Sequence, residues 1–496
     1  MEAEQEKVAV PQVTPEEASS LDKAEAATPP NGRAGFDANA TKRLLRKIDR
    51  NLLPVLSILY LLSFLDRTNI GNARLAHLEE DLHMKGLDYN TALAIMFPFY
   101  VAAEIPSNII MKRFRPSLWL PSTMVAWGIV ATLMGLVVNY KGLLVARAAL
   151  GLAEGGLFPG INFYISMWYR RHECGLRMAI FFSMATAAGA FGGLLARGIS
   201  QLNGHRHRGG WSWIFIIEGT ITTVVAAWAF YAFKDYPKTA KFLTEEEKVE
   251  VERRLDEDRG SLNDEWHINW VWAAMTDWKT WMHCLNFFGV FTSVYSFSFF
   301  LPTIIKNLGY TNNKAQLMTV PPYVVACAFC VTAGYFADKK RSRGIFVICF
   351  NFVALVGLIM LAASKSPHVK YAGTFFFAVG VYTNTPMIMA FNANNSGPSS
   401  KRSVALAMQA MVGNFGGVLS SFIYLSKDAP RFTKGHCINI GLVSMSILIS
   451  TIMTLYYRRE NARRDREYKA PDQYTPEERA SESHKGDAAP FFRYTV

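Results

Sequence analysis

The sequence predicts an all-α membrane protein with twelve transmembrane helices arranged as two six-helix halves. Three observations predict it. First, the 496-residue chain is 50% hydrophobic and 13% aromatic, and its apolar residues gather into about twelve runs near the ~20 residues a helix needs to cross a bilayer. Two of those runs are interrupted by polar residues. Second, the basic residues behind the net charge of +12 stand at the ends of the runs: Lys112, Arg113 and Arg115, Arg170 and Arg171, Lys339 to Arg343, and Arg458, Arg459, Arg463 and Arg464. That is the positive-inside pattern of a membrane protein, and it argues against nucleic acid as a partner. Third, a polar stretch from Lys234 to Lys279 divides the runs six and six.

In chain order, residues 1–49 read as a disordered cytosolic tail. Met1 to Asn31 is rich in Glu, Ala and Pro. It has neither a basic n-region nor an apolar h-region, so it does not read as a secretory signal. The first bundle, 50–233, holds spans at 51–71, 90–111, 117–138, 142–168, 175–199 and 211–233. In the cytosolic linker, 234–279, Thr244 and Glu247 are spaced as a capping box for a short amphipathic helix. The second bundle, 280–458, holds spans at 280–304, 315–337, 344–363, 371–392, 403–425 and 437–457, and 459–496 forms a second cytosolic tail. Ser293, Tyr295, Ser296 and Ser298 on span seven, with Tyr382, Thr383 and Asn384 on span ten, suit a cavity better than lipid. Two halves rocking about a central site is an alternating-access design. The tails and linker carry the excess of Lys and Arg, which places both termini in the cytosol, with the plasma membrane as the expected location.

Charge inside an apolar segment is expensive and marks function. Asp66 and Arg67 are adjacent toward the far end of span one, and Arg147 and Glu154 lie on span four. By helix rise, Asp66 is roughly 22 Å from the cytosolic end of its span and Arg147 roughly 8 Å from the outer end of its own. In a core of about 30 Å these are similar depths, so an ion pair between spans one and four is geometrically open. Glu154 follows Arg147 by about two turns, on the same face and near the midplane. A carboxylate there can bind or release a proton as its surroundings change. An arginine keeps its charge and suits an anion, above all a carboxylate held by two bonds. The four residues also fit a structural network locking spans one and four, and the two readings are compatible.

Gly151, Gly155, Gly156 and Gly160 form a close-packing face on span four, with kinking as a secondary role. Gly189, Gly192 and Gly193 on span five, and Gly413, Gly416 and Gly417 on span eleven, look like partner surfaces. Glu218 on span six reads as structural, and Arg197 near the outer end of span five as a snorkelling side chain. Glu104 and Asn108, with Lys112 and Arg113, are expected to latch the cytosolic ends of spans two and three; Asp338, Lys339 and Arg341 hold the equivalent place in the second half. Cys327 and Cys330 are a C-x-x-C inside an apolar run without companion ligands, so no metal site is expected, and no cofactor.

These residues resemble the major facilitator superfamily. GYFADKKR at 334–341 is similar to its loop motif between helices eight and nine. FLDRTNIGNA at 64–73, EIPSN at 104–108, RAALGLAEGGLFPG at 147–160, WYRR at 168–171 and FIIEG at 215–219 resemble the anion:cation symporter family, and within it the fungal allantoate and nicotinate permeases. The resemblance covers roughly 45–460. It implies the major facilitator fold and proton-coupled movement of organic anions. The family's coupling acids match Asp66 and Glu154, and its substrate-contacting arginines match Arg67 and Arg147. Its polar cavity positions on helices seven, ten and eleven are assigned here to Tyr295, Asn392, Gln409 and Asn414. Arg197 departs from the pattern, where an apolar or small residue is expected.

The resulting expectation is a monomeric symporter whose partners are protons, a small organic anion and the lipid bilayer. An exporter of a fungal metabolite is the alternative within transport, although span five lacks the Gly-Pro motif of the superfamily's drug antiporters. A nutrient receptor that has lost transport need not keep the coupling acids. No Gly-x-x-x-x-Gly-Lys-Ser/Thr loop is present for an ATP-driven pump, and no nucleophile constellation supports an enzyme.

Overall fold

A computed structural model describes residues 36–259, 268–340 and 342–496. The chain divides into two compact units, residues 1–48 and 49–496. The described part of the first unit is the opening of the helix Ala38–Leu75; the second unit holds the features below.

Ten helices among the described residues are long and apolar enough to cross a membrane: Ala38–Leu75, Pro116–Met134, Arg177–Leu202, Gly210–Ala232, Trp278–Lys306, Asn312–Ala337, Gly344–Ala363, Pro367–Asn395, Ser400–Ser421 and Thr433–Glu467. Each of the two remaining spans is a pair of helices. Span two is Asp88–Ala94 followed by Met96–Arg113, and span four is Tyr140–Glu154 followed by Leu157–Ser166. The breaks have local causes. Pro98 has no N–H to give the Ala94 carbonyl. Span four breaks at Gly155 and Gly156, where helix propensity is low, directly after Glu154.

Within the first half, span three packs on spans four and six, and span two on span four. Within the second, span seven packs on spans ten, eleven and twelve, and span nine on spans ten and twelve. The halves meet where span five packs on spans eight and ten, and span two on span eleven. Small residues permit the closest approaches. Gly151 and Gly155 lie against the main-chain oxygens of Met96 and Tyr100 on span two, where a Cβ has no room. The other glycine faces serve interfaces of their own. Gly189 and Gly193 meet Tyr323 and Thr319 of span eight, Gly413 and Gly416 meet Phe287 and Thr292 of span seven, and Gly417 meets Phe97 of span two. At the end opposite the linker, Asn90 Nδ2 donates to the Ser421 carbonyl at 2.5 Å, Arg74 Nη2 to Ser426 Oγ at 2.8 Å, and Asn312 Nδ2 to the Leu75 carbonyl at 2.9 Å. These bonds hold the halves together there.

At the linker end, the capping box forms. Thr244 N–H donates to Glu247 at 2.9 Å and Glu247 N–H to Thr244 Oγ1 at 3.3 Å, starting the helix Glu245–Arg259. That helix is tied to span five by an Arg254–Glu173 ion pair and by Arg170 Nε donating to the Arg254 carbonyl at 2.9 Å.

Span twelve runs on to Glu467, and the chain beyond it folds back across the second half. Arg464 Nη1 donates to the Phe492 carbonyl at 2.8 Å. Asn461 exchanges two bonds with Tyr494, and Asn395 two with Thr495. Arg343 N–H donates to the Val496 carbonyl at 2.8 Å. The Tyr494 ring stacks on Tyr457 at 4.6 Å. Asp487, 3% exposed, pairs with Lys279 of span seven and with Lys401 of span eleven at 2.6 Å. Residues 487–496 thus brace five spans of the second half. Burial works against the Asp487 carboxylate, but the two ammonium groups outweigh it and hold its carboxyl below the ordinary range. The folded value is lowered, so this contribution is present above the ordinary carboxylate range of about 4. It is lost as pH falls through the lowered folded value. Ending the chain after Lys485 is expected to lower the melting temperature in detergent at pH 7, each lost bond being worth about 1 kcal/mol. An unchanged melting curve would show that the brace carries no weight.

Candidate functional site

The centre of the second unit is built around Arg67. Its Nη2 donates to Glu154 Oε1 at 2.6 Å and its Nη1 to the Tyr295 hydroxyl at 2.6 Å. Tyr295 passes its own hydrogen to Asn414 Oδ1 at 3.0 Å. Ser63, one turn before Arg67 on span one, also donates to Glu154 Oε1. The guanidinium carbon lies 4.8 Å from the centre of the Tyr100 ring, on which it stacks as a cation on a π face. One side chain therefore joins an acid of the first half to a hydroxyl and an amide of the second. Arg67 is 5% exposed and Glu154 1%, so the bridge is out of water and each partner matters.

Asp66 faces the other way. Successive residues on a helix point about 100° apart, so Asp66 meets spans three and six while Arg67 meets spans four and seven. Asp66 Oδ2 accepts from Trp127 Nε1 at 3.1 Å and from Thr222 Oγ1 at 2.9 Å. The ion pair that similar depth made possible between Asp66 and Arg147 is not formed; the link between spans one and four is Arg67–Glu154. Arg147 donates its Nε to the Ala92 carbonyl at 3.2 Å. Its Nη1 and Nη2 have no hydrogen-bond partner among the described residues, although the side chain is fully buried. Those two nitrogens are the fork that holds a carboxylate. Glu104, 1% exposed, lies near Arg67 and Asn414 without a full hydrogen bond at either oxygen.

Tyr295 and Asn414 thus join the Arg67 cluster. Asn392 and Gln409 do not. Asn392 Nδ2 donates to Gln409 Oε1 at 3.0 Å, Gln409 Nε2 reaches the His283 carbonyl at 3.4 Å, and Ser396 Oγ bonds back to Asn392. The pair satisfies itself inside the second half. Lys339 is exposed, and Arg197 is half-buried. The side chains of Asn108, Lys112, Arg113 and Asp338, and all of Arg341, lie outside the described residues. A cavity of about 420 Å³ opens at the end opposite the linker, lined by Leu75, His77, Ser200, Asn203, Asn312 and Gln316; it does not reach Arg67.

Sequence reasoning missed Ser63, Tyr100, Trp127 and Thr222. Ser63 had a signal, four residues before Arg67 and so on its face of the helix. The other three come from spans whose rotation the sequence leaves open.

The identity of the protein class follows from comparison with known proteins. The family model described as Major Facilitator Superfamily matches residues 56–421, and the chain belongs to that superfamily. It is 38% identical over 478 residues to the "MFS-type transporter cnsO" of Penicillium expansum, a match covering 93% of this chain and 92% of that one. It is 32% identical over 422 residues to the "High-affinity nicotinic acid transporter" of Saccharomyces cerevisiae, covering 85% and 78%. Among solved structures, the fold is similar to the proton:xylose symporter XylE, with a TM-score of 0.63 at 15% identity over 82% of this chain and 96% of that one. It is also similar to a bacterial Spinster homologue in an inward-facing, unoccupied conformation, with a TM-score of 0.63 at 15% identity over 81% and 95%.

Tyr295→Phe removes the hydroxyl between Arg67 and Asn414 and leaves a buried guanidinium hydrogen without its acceptor. The expected cost is about 1–3 kcal/mol, read as a lower melting temperature in detergent. A variant that melts with the wild type would show that the bridge adds nothing to the stability of the fold.

Proposed function

We propose that this transporter is a proton-coupled symporter of a small organic anion, working by alternating access. The observation that carries the reading is the fully buried Arg147 fork, which has no partner among the described residues, near the Arg67–Glu154 pair. Of the two fixed cations only Arg67 bonds a carboxylate among the described residues, which suits a site completed by an incoming anion. The similarity to the high-affinity nicotinic acid transporter supports the same class of ligand. Lys and Arg at the linker end and tails support an orientation with both termini in the cytosol.

The chemistry follows from the geometry. A proton on Glu154 cancels the charge that holds Arg67 Nη2. Arg67 is then free to turn, with Arg147, toward a substrate carboxylate. Its bond to Tyr295 belongs to the other half, so the same event loosens or remakes a link between the halves. Asp66, on the opposite face of span one, is the second coupling acid. Tyr295 and Phe158 are the aromatic groups placed to cover an apolar part of the ligand.

Uptake of a panel of radiolabelled carboxylates by cells expressing the protein tests the reading. Accumulation should collapse when a protonophore is added, and Glu154→Gln should reduce it to the level of cells without the protein. Accumulation that survives both would overturn proton coupling. Arg147→Lys keeps a charge but loses the fork, and should weaken the apparent affinity for the transported acid by about tenfold to a hundredfold, the loss of a charged hydrogen bond of ~1.5–3 kcal/mol. The amide or ester of that acid should compete far less well than the free acid. Equal competition by the uncharged analogue would refute the anion site and favour export of a neutral compound.

A further inference from the structure

Span one carries a second buried acid site, on the face turned away from Arg67. Asn69, one turn beyond Asp66, donates its Nδ2 to Glu218 Oε2 of span six, and Thr222, one turn after Glu218, donates to Asp66 at 2.9 Å. The two helices run antiparallel, so Asn69–Glu218 and Asp66–Thr222 are successive rungs. The two carboxyl groups stand one turn apart, roughly 5–6 Å along the axis. Both are buried, Asp66 at 3% exposure and Glu218 at 1%.

Among the described residues the charged group nearest each acid is the other acid; Glu154 of span four lies farther off and is itself paired with Arg67. Span three contributes the Trp127 indole, which is neutral. Among the described residues neither Asp66 nor Glu218 has an ion-pair partner, whereas Glu154 has Arg67. Two carboxylates this close, in a site without a counterion, cannot both stay ionised. The hydrogen bonds divide the roles. Asp66 Oδ2 receives two donors, one of them an indole N–H that can only donate. Glu218 has a single partner, and its Oε1 has none among the described residues. That partner is an amide. Asn69 is fully buried and its Oδ1 also lacks a partner among the described residues. Turned over, the same amide accepts from a carboxylic acid as readily as it donates to a carboxylate. Asn69 is thus an independent buried group that can serve either protonation state of Glu218.

We propose that Asp66 and Glu218 form a proton-sharing dyad in which Glu218 holds the proton while Asp66 is ionised, a site separate from Glu154. The dyad lies wholly within the first half. Spans three and six press together beside it, with Gly128 against Thr223 and Gly219 against Thr132, so it can keep its proton while the halves rearrange. This rests on the proton-coupled reading for its role in transport, but the protonation itself can be observed without a substrate.

Infrared difference spectra of the purified protein between acid and alkaline pH, with no substrate present, read the carboxylic-acid carbonyl bands directly. Glu218→Gln should lose one such band and shift a second, and Asp66→Asn should shift the Glu218 band. Glu218→Asp restores a carboxyl at the same place and should restore a band. Melting curves of each variant show whether it is folded. A folded Glu218→Gln protein with the carbonyl bands of the wild type would overturn the dyad. Failure of the coupling reading appears elsewhere, as wild-type accumulation that ignores a protonophore, so the two failures cannot be confused.

Discussion

The interaction on which the rest depends is the buried guanidinium of Arg67. A charge out of water must be met by groups fixed in place, and four elements are shaped to supply them. Span four breaks at Gly155 and Gly156 just after Glu154. Gly151 and Gly155 let span two approach until Tyr100 lies over the guanidinium. Span seven offers Tyr295, and span eleven supports it through Asn414. Because Glu154 and Tyr295 belong to different halves and both bond Arg67, a change of charge at Glu154 reaches the second half through that one side chain.

Span one separates two chemistries by rotation alone. Arg67 looks across the molecule to the second half, while Asp66 and Asn69 look into the first half at spans three and six. One face makes a bridge between the halves. The other makes hydrogen bonds that stay among spans one, three and six. The second half has its own fixed frame, in which Asp487 and Tyr494 tie the linker ends of spans seven, eleven and twelve together.

The length and order of the apolar segments are in the sequence because the bilayer reads composition, not packing. The breaks that make spans two and four into helix pairs also have local causes, Pro98 and the Gly155–Gly156 pair. Arg67, Arg147 and Glu154 stand out in the sequence for the same reason: charge in an apolar run is costly wherever the run ends up. Rise per residue places such groups in depth but says nothing about rotation or neighbours. That is why depth left an Asp66–Arg147 pair open, whereas the folded chain pairs Arg67 with Glu154 and leaves the Arg147 fork without a partner among the described residues. It is also why Asn392 and Gln409, polar and on suitable spans, turn out to satisfy each other. The partners of Asp66, the approach of Tyr100 and the return of residues 487–496 across five helices come from elements far apart in the chain. Depth and helix type follow from local composition, but which side chains meet is set by the mutual rotation of helices, and only their packing decides that.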